Sequence, residues 1–416
     1  MTPVATAVSS GCHGLPLVTS LVMRITGTSV AVAFVATSLL LTGCGSQDSV
    51  ENAPPADAVE QPAVQEAGAQ PPEAKAEEDS ERDVYAATRP GNFSPAMEGV
   101  LNRVYVPNSV SNTVSIIDPS TFKVIDTIPG GLEPQHVVPS YDFKTLYVTA
   151  DEVPGGTLTP IDPKTGKAGE LIHVQDPYNL YFTPDGKSAI VVAEAYKRLD
   201  FYEPHTWRKQ ESLHIDECAG INHMDFTKDG KLALVTCEFA NRMIVLDVEA
   251  KKHVRTFELD QTPHGMPQDS RLSPDGSTFY VADMHANGIY LFDGDATKQV
   301  GFVPTGQGAH GVYFSRDSKR AFITNRGEGS VTILDTGTNK PIDKWHIPGG
   351  GSPDMGSVSA DGKQLWLSGR HHNEVYVLDT DNGNLLARIP VGSGPHGLTY
   401  MPQPGRYSLG HTSNIR

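Results

Sequence analysis

From residue 100 onward, short apolar stretches alternate with polar punctuation in a fixed order. Residues 101–108 (LNRVYVPN), 113–118 (TVSIID) and 123–129 (KVIDTIP) are rich in β-branched and aromatic residues and are bounded by turn residues. Each predicts a strand. The first of the three recurs at 144–150 (KTLYVTA), 187–193 (KSAIVVA), 231–237 (KLALVTC), 277–283 (STFYVAD), 319–325 (KRAFITN) and 363–369 (KQLWLSG), which makes seven copies. The second recurs as 331–335 (VTILD) and 375–379 (VYVLD). Most later copies follow a turn such as Pro184-Asp185-Gly186, Pro274-Asp275-Gly276 or Ala360-Asp361-Gly362. Asp-Gly suits such turns because glycine accepts the positive φ of a tight hairpin.

His136 and His396 lie six repeats apart, a period of about 43 residues. That period, with four strands per unit, predicts an all-β, seven-bladed β-propeller with four-stranded blades over residues 96–403. The phase adds a detail. The chain starts on the second strand of a blade and finishes with a lone inner strand at 396–401 (HGLTYM). The last blade is therefore expected to be closed by both chain ends, which removes open sheet edges. Residues 404–416 form a C-terminal extension that either covers one mouth of the ring or simply extends.

Tyr105-Val-Pro-Asn108, Tyr147-Val-Thr-Ala150 and Ile323-Thr-Asn325, with the Pro-His-Gly and Ser-Pro-Asp-Gly elements, resemble the YVTN-repeat β-propellers. The resemblance covers roughly residues 100–402. It implies the fold and, by default, an extracytoplasmic binding scaffold. It says less about chemistry, because related propellers bind proteins, carry haem d1, hold copper or hydrolyse lactones.

The N-terminal part has another character. Arg24 is the only charge in the first 43 residues, and an apolar run follows from Val30 to Leu41. A positive segment before a short apolar run is a secretory signal. The run falls short of the roughly 20 residues a membrane span needs. It ends Leu41-Thr42-Gly43-Cys44, which resembles the bacterial lipobox. The resemblance implies a signal peptide over 1–43, lipidation of Cys44 with palmitate among the acyl chains, and a protein anchored on the periplasmic or cell-surface side of the membrane. Residues 44–95 read as an acidic tether rich in Pro and Ala. Such a stretch buries too little apolar surface to offset its chain entropy.

Composition narrows the partners. The chain has 416 residues, a formal net charge of −16, and 40 Gly and 31 Pro. An acidic chain without a basic run excludes a nucleic-acid partner. The membrane, through the lipid, and a protein or cell-wall component are the expected partners of a monomeric propeller.

Candidate chemistry concentrates at one mouth. Antiparallel alternation puts the loop before each inner strand and the loop after each second strand on the same face. The inner-strand starts carry His136, Asn179, His223, His264, His310, Asp354 with Met355, and His396. The second-strand ends carry Glu194, Glu238, Asp283 with His285, Arg326, and Arg370 with His371 and His372. A ring of imidazoles suits copper, zinc or non-covalent haem, and nitrous oxide reductase is similar in outline. The same histidines can instead cap turn backbone. Register also separates them, since His310 and His396 sit one residue earlier than His136 and His223, and a one-residue slip reverses a strand side chain. Cys218 and Cys237 are placed for a disulfide, with a Cys/His metal site or two unpartnered thiols as alternatives. Three readings follow: a ligand- or protein-binding scaffold without turnover, a metal- or haem-dependent redox protein or its assembly factor, and a lactonase-like hydrolase using Glu194, Glu238, Arg326 and Arg370. The first is favoured.

Overall fold

The computed structural model describes residues 83–416. The signal, Cys44 and the tether up to residue 82 lie outside the described residues. Among those described, the strands form seven antiparallel sheets of four. Blade 1 takes its outer three strands from Arg103–Asn108, Thr113–Asp118 and Lys123–Pro129, and its inner strand from Thr399–Met401. Arg103 pairs with Met401 and Tyr105 with Thr399. The inner strands of blades 2 to 7 are Pro134–Pro139, Pro177–Phe182, Ile221–Phe226, Pro267–Leu272, Ala309–Phe314 and Pro353–Val358. Each packs on the next, and Thr399–Met401 packs on both its neighbours, so the ring is closed.

Second strands are apolar on both faces because each face meets a different blade. In Arg103–Asn108, Val104 and Val106 pack with Trp366, Val375 and Val377 of blade 7. Tyr105, between them, packs with Val137 and Val148 of blade 2. The two-residue period thus feeds two cores from one strand. The fourth strands, such as Lys123–Pro129, are mostly exposed.

The recurring turn and threonine have identifiable tasks. Asp185 Oδ1 accepts from Thr183 Oγ1 (2.7 Å) and from Lys187 N (3.1 Å), and Gly186 takes a φ of 69°. Each of the six inner strands of blades 2 to 7 carries a bulge at its mouth end. The bulge frees a backbone N–H, and in blades 2, 4 and 6 a threonine of the second strand accepts it. His223 N donates to Thr236 Oγ1 (2.8 Å) and Gly311 N to Thr324 Oγ1 (2.7 Å).

At its start the described chain differs from expectation. Residues 83–95, read as tether, pack against the face opposite the mouth: Tyr85 is buried and donates to Leu272 O (3.0 Å). Val84 and Tyr85 supply apolar surface that the rest of the acidic stretch lacks. Residues 404–416 do not extend away; they cover a mouth of the ring, the one opposite the histidine-bearing face. They enter the channel from the opposite end as a hairpin. Phe182 N donates to Leu409 O (2.9 Å) and His411 N to Leu180 O (2.8 Å). Leu409 N returns to Asn414 O (2.7 Å), and His411 sits at the turn with a φ of 50°. Arg416 then makes two 2.8 Å contacts with Asp225, which is fully buried.

Candidate functional site

The bulges explain how histidines in two registers reach one channel. A bulge opposes two residues to one, so consecutive side chains turn to the same side. Asn222 and His223 oppose Thr236, and His310 and Gly311 oppose Thr324. The upper layer holds Gln135, Tyr178, Asn222, Gln268, His310, Asp354 and His396. The layer beneath holds His136, Asn179, His223 and Asp269.

Four of the five expected inner-strand histidines, His136, His223, His310 and His396, therefore converge, each no more than 2% exposed. His264 does not. It is exposed in a loop of eight residues between Glu258 and Pro267, and the channel position of its blade belongs to Asp269. His371 and His372 are exposed on the rim, where His372 Nδ1 meets Ser352 Oγ (2.9 Å), so neither joins the ring. The tail supplies a fifth channel imidazole. His411 lies 4.7 Å from His223 and 5.1 Å from His136 between ring centroids. Its role was invisible in the repeat pattern because it lies outside the repeats. Asp269 could have been found by counting back from the Ser-Pro-Asp-Gly turn rather than following the Pro-His-Gly string.

Two buried groups result. In the first, one ring nitrogen from each of His136, His223 and His411 lies within 4.8 Å of the others. In the second, His310 Nδ1 lies 3.0 Å from Asp354 Oδ1, His396 Nε2 lies 3.7 Å from Asp354 Oδ2, and Arg326 holds Asp354 Oδ1 at 3.2 Å. Burial alone would raise the Asp354 carboxyl, but His310 and Arg326 outweigh it and hold it well below the usual carboxylate range. Burial pushes the imidazoles down, His136 to about 3 and His310 to about 4, so the rings are neutral at pH 7.

Half-exposed charges ring the mouth above these layers. Glu194 and Glu238 both meet the Asn222 amide. Burial, then the charge of Glu238, pushes Glu194 far above its ordinary value. Burial takes Asp151 up to about 7 and Asp176 up to about 6. Arg326 and Arg370 stand on the other side, and Arg370 Nη1 is buried without a hydrogen-bond partner among the described residues. Beside it a groove of about 710 Å³ runs between blades 1 and 2, lined by Val110, Leu132, Glu133, Gln135, Val153 and Arg370. Val110, Leu132 and Val153 are exposed at 72%, 48% and 54%.

The carboxyl pair gives a pH test. A carboxyl raised in the folded state contributes stability below its unfolded value and loses it as pH rises through the folded one. Glu194→Gln should therefore melt higher than the parent at pH 8, with the gap closing by pH 5. A gap that does not change with pH, measured by thermal unfolding, would contradict the raised Glu194 carboxyl.

Cys218 and Cys237 form a disulfide with Cα atoms 4.8 Å apart. It ties the loop before Ile221 to the end of the second strand of blade 4, next to Asn222 and His223.

Comparison with known proteins agrees with this architecture. The YNCE-like beta-propeller family profile matches residues 92–215 and 277–405. A seven-bladed lactonase propeller profile matches 163–340. Among curated proteins, hydrazine synthase subunit beta of Kuenenia stuttgartiensis is 24% identical over 38% of this chain and 53% of its own. YncE of Escherichia coli K12 is 23% identical over 41% and 46%. Dihydro-heme d1 dehydrogenase of Pseudomonas aeruginosa is 25% identical over 34% and 30%. The chain thus spans about a third to a half of these relatives. Among solved structures, a putative 6-phosphogluconolactonase from Bacteroides fragilis superposes with a TM-score of 0.59 at 16% identity, covering 74% of this chain and 100% of that one.

Proposed function

The chain belongs to the YNCE-like β-propeller family, and from that premise we propose that it is an extracytoplasmic, lipid-tethered binding propeller that captures a small organic carboxylate with an apolar body in its mouth-face groove. The carrying observation is Arg370. Its Nη1 is buried without a partner among the described residues, and its side chain lines a groove whose other wall offers Val110, Leu132 and Val153. A guanidinium short of a partner is suited to a carboxylate. The groove's volume is in the range of small-molecule sites, about 300–1,000 Å³.

Export and the tether rest on the signal, the lipobox and the disulfide, which suits an oxidising compartment. Cys44→Ser should move the protein from the membrane fraction to the soluble fraction of fractionated cells. A haem reading has support in the name of one relative, but every channel imidazole is at most 2% exposed. A haem, unlike a bare ion, would need space over the width of its macrocycle beside an imidazole before that ring could bind its iron.

The binding test is calorimetric titration of the purified full chain with hexanoate and, in parallel, hexylamine. Hexanoate should saturate one site, and Arg370→Gln should weaken it by about tenfold or more. Preference for the amine, or binding untouched by Arg370→Gln, would overturn the proposal.

A further inference from the structure

The geometry points to a divalent metal site, built from His136, His223 and His411 with Asp269 as fourth ligand, at the level where the C-terminal hairpin meets the channel. It is independent of the mouth groove, and either can fail without the other.

The first observation is a set of orphaned atoms. Nε2 of His136, of His223 and of His411 are all buried, and none has a hydrogen-bond partner among the described residues. Buried polar atoms are nearly always satisfied, so three orphans on rings whose centroids lie 4.7 to 5.6 Å apart need an occupant. The second observation is Asp269. Its Oδ1 is also buried and unpartnered, and it lies 3.7 Å from His411 Nε2. Its other oxygen accepts from Val312 N (3.0 Å) and from Nε of the buried Arg271 (3.4 Å), which leaves Oδ1 for the imidazoles.

The third observation is what stands behind the rings. His136 Nδ1 donates to Tyr178 O (2.8 Å), which leaves a lone pair on Nε2. His223 and His411 both turn Nδ1 to the Asn179 amide, at 3.0 and 2.9 Å. A half-turn of that amide, which gives up the 2.8 Å bond that its Oδ1 accepts from Leu180 N, offers Oδ1 to both rings. Each then carries its proton on Nδ1 and presents an Nε2 lone pair, the outer-shell arrangement that metal-bound imidazoles use. Tetrahedral zinc with bonds of about 2.0–2.1 Å holds its ligands about 3.3 Å apart. One ring nitrogen of each histidine, Nδ1 or Nε2, already lies within 4.8 Å of the others, so that set need only close by about 1.5 Å or less per pair, with Asp269 joining from beside His411.

The other buried cluster is a poorer candidate. It brings only two imidazoles, His310 and His396, and its Asp354 Oδ1 is shared by His310 and Arg326. Three imidazoles and one carboxylate suit zinc, and cobalt as its optical stand-in. The ligands come from blades 2, 4 and 5 and from the tail, so the ion would fasten the hairpin to the ring.

The test strips the purified full chain with chelator, incubates it to equilibrium with cobalt(II), and then titrates zinc(II). One equivalent of cobalt should give the intense visible bands of a tetrahedral site, and zinc should displace them one for one. His223→Gln and His411→Gln should each abolish the bands. The variants' metal-free far-ultraviolet circular dichroism and melting would first establish that they fold. Asn179→Leu should weaken binding about tenfold or more, while Asn179→Asp, which still accepts from both Nδ1 atoms, should retain it. The exposed His264→Gln and His285→Gln should bind as the parent does. Absence of stoichiometric cobalt in the parent would overturn the site. So would bands that survive in folded His223→Gln and His411→Gln but vanish in the His264 or His285 variants.

Discussion

Arg416→Met should lower the unfolding free energy by about 3–5 kcal/mol, the cost of leaving a buried charge without its counter-ion. Asp225 is fully buried, and Arg416 reaches both its oxygens at 2.8 Å. Asn414 Nδ2 and Leu272 N also donate to Asp225, which favours the lower end of that range. The melting temperature should fall by several degrees. The pairing of Asp225→Asn with Arg416→Met removes the orphaned charge and should recover most of the loss. A single variant that melts within a degree of the parent would mean that the hairpin is not held by this pair.

Reduction of Cys218–Cys237 should cost about 3 kcal/mol at 25 °C. The bridge closes a loop with a sequence separation of 19, and the chain entropy it removes from the unfolded state scales with that length. Denaturant titration of oxidised and reduced protein measures it. A midpoint that does not move on reduction would contradict a stabilising bridge. The local consequence bears on the site, because both sulfurs lie in the apolar core around Ile221 and Met224. Loosening that core should weaken the placement of Asn222 and His223 before it unfolds the ring.

The ring and its closure were legible because one blade's demands are written seven times. Each second strand must be apolar on both faces, and each hairpin leading into one in blades 2 to 7 has Asp followed by a residue of positive φ, usually Gly. The shared strand pairing of blade 1 followed from phase alone. The channel was only half legible. A strict two-residue alternation would have sent His310 and His396 away from His136 and His223, and the bulges that reconcile them leave no clear mark in a single sequence. His264 misled because Pro-His-Gly looks alike in a loop and at a strand start. His411 and Asp225 were out of reach for another reason: their partners are fixed by where the tail threads, and a tail outside the repeats has no template. The step from acidic tether to packed segment at Val84 and Tyr85 was likewise too short to read.

The metal site and the Arg416–Asp225 pair depend on residues 407–416 standing inside the channel. Amide hydrogen exchange of the native protein, read by mass spectrometry on peptides from this segment, tests that most directly. The account predicts protection comparable to the inner strands Pro177–Phe182 and Ile221–Phe226, because Leu409, His411 and Asn414 are bonded to the ring or to one another. Complete exchange within seconds, at the rate of an unstructured peptide, would contradict it and leave the channel without His411.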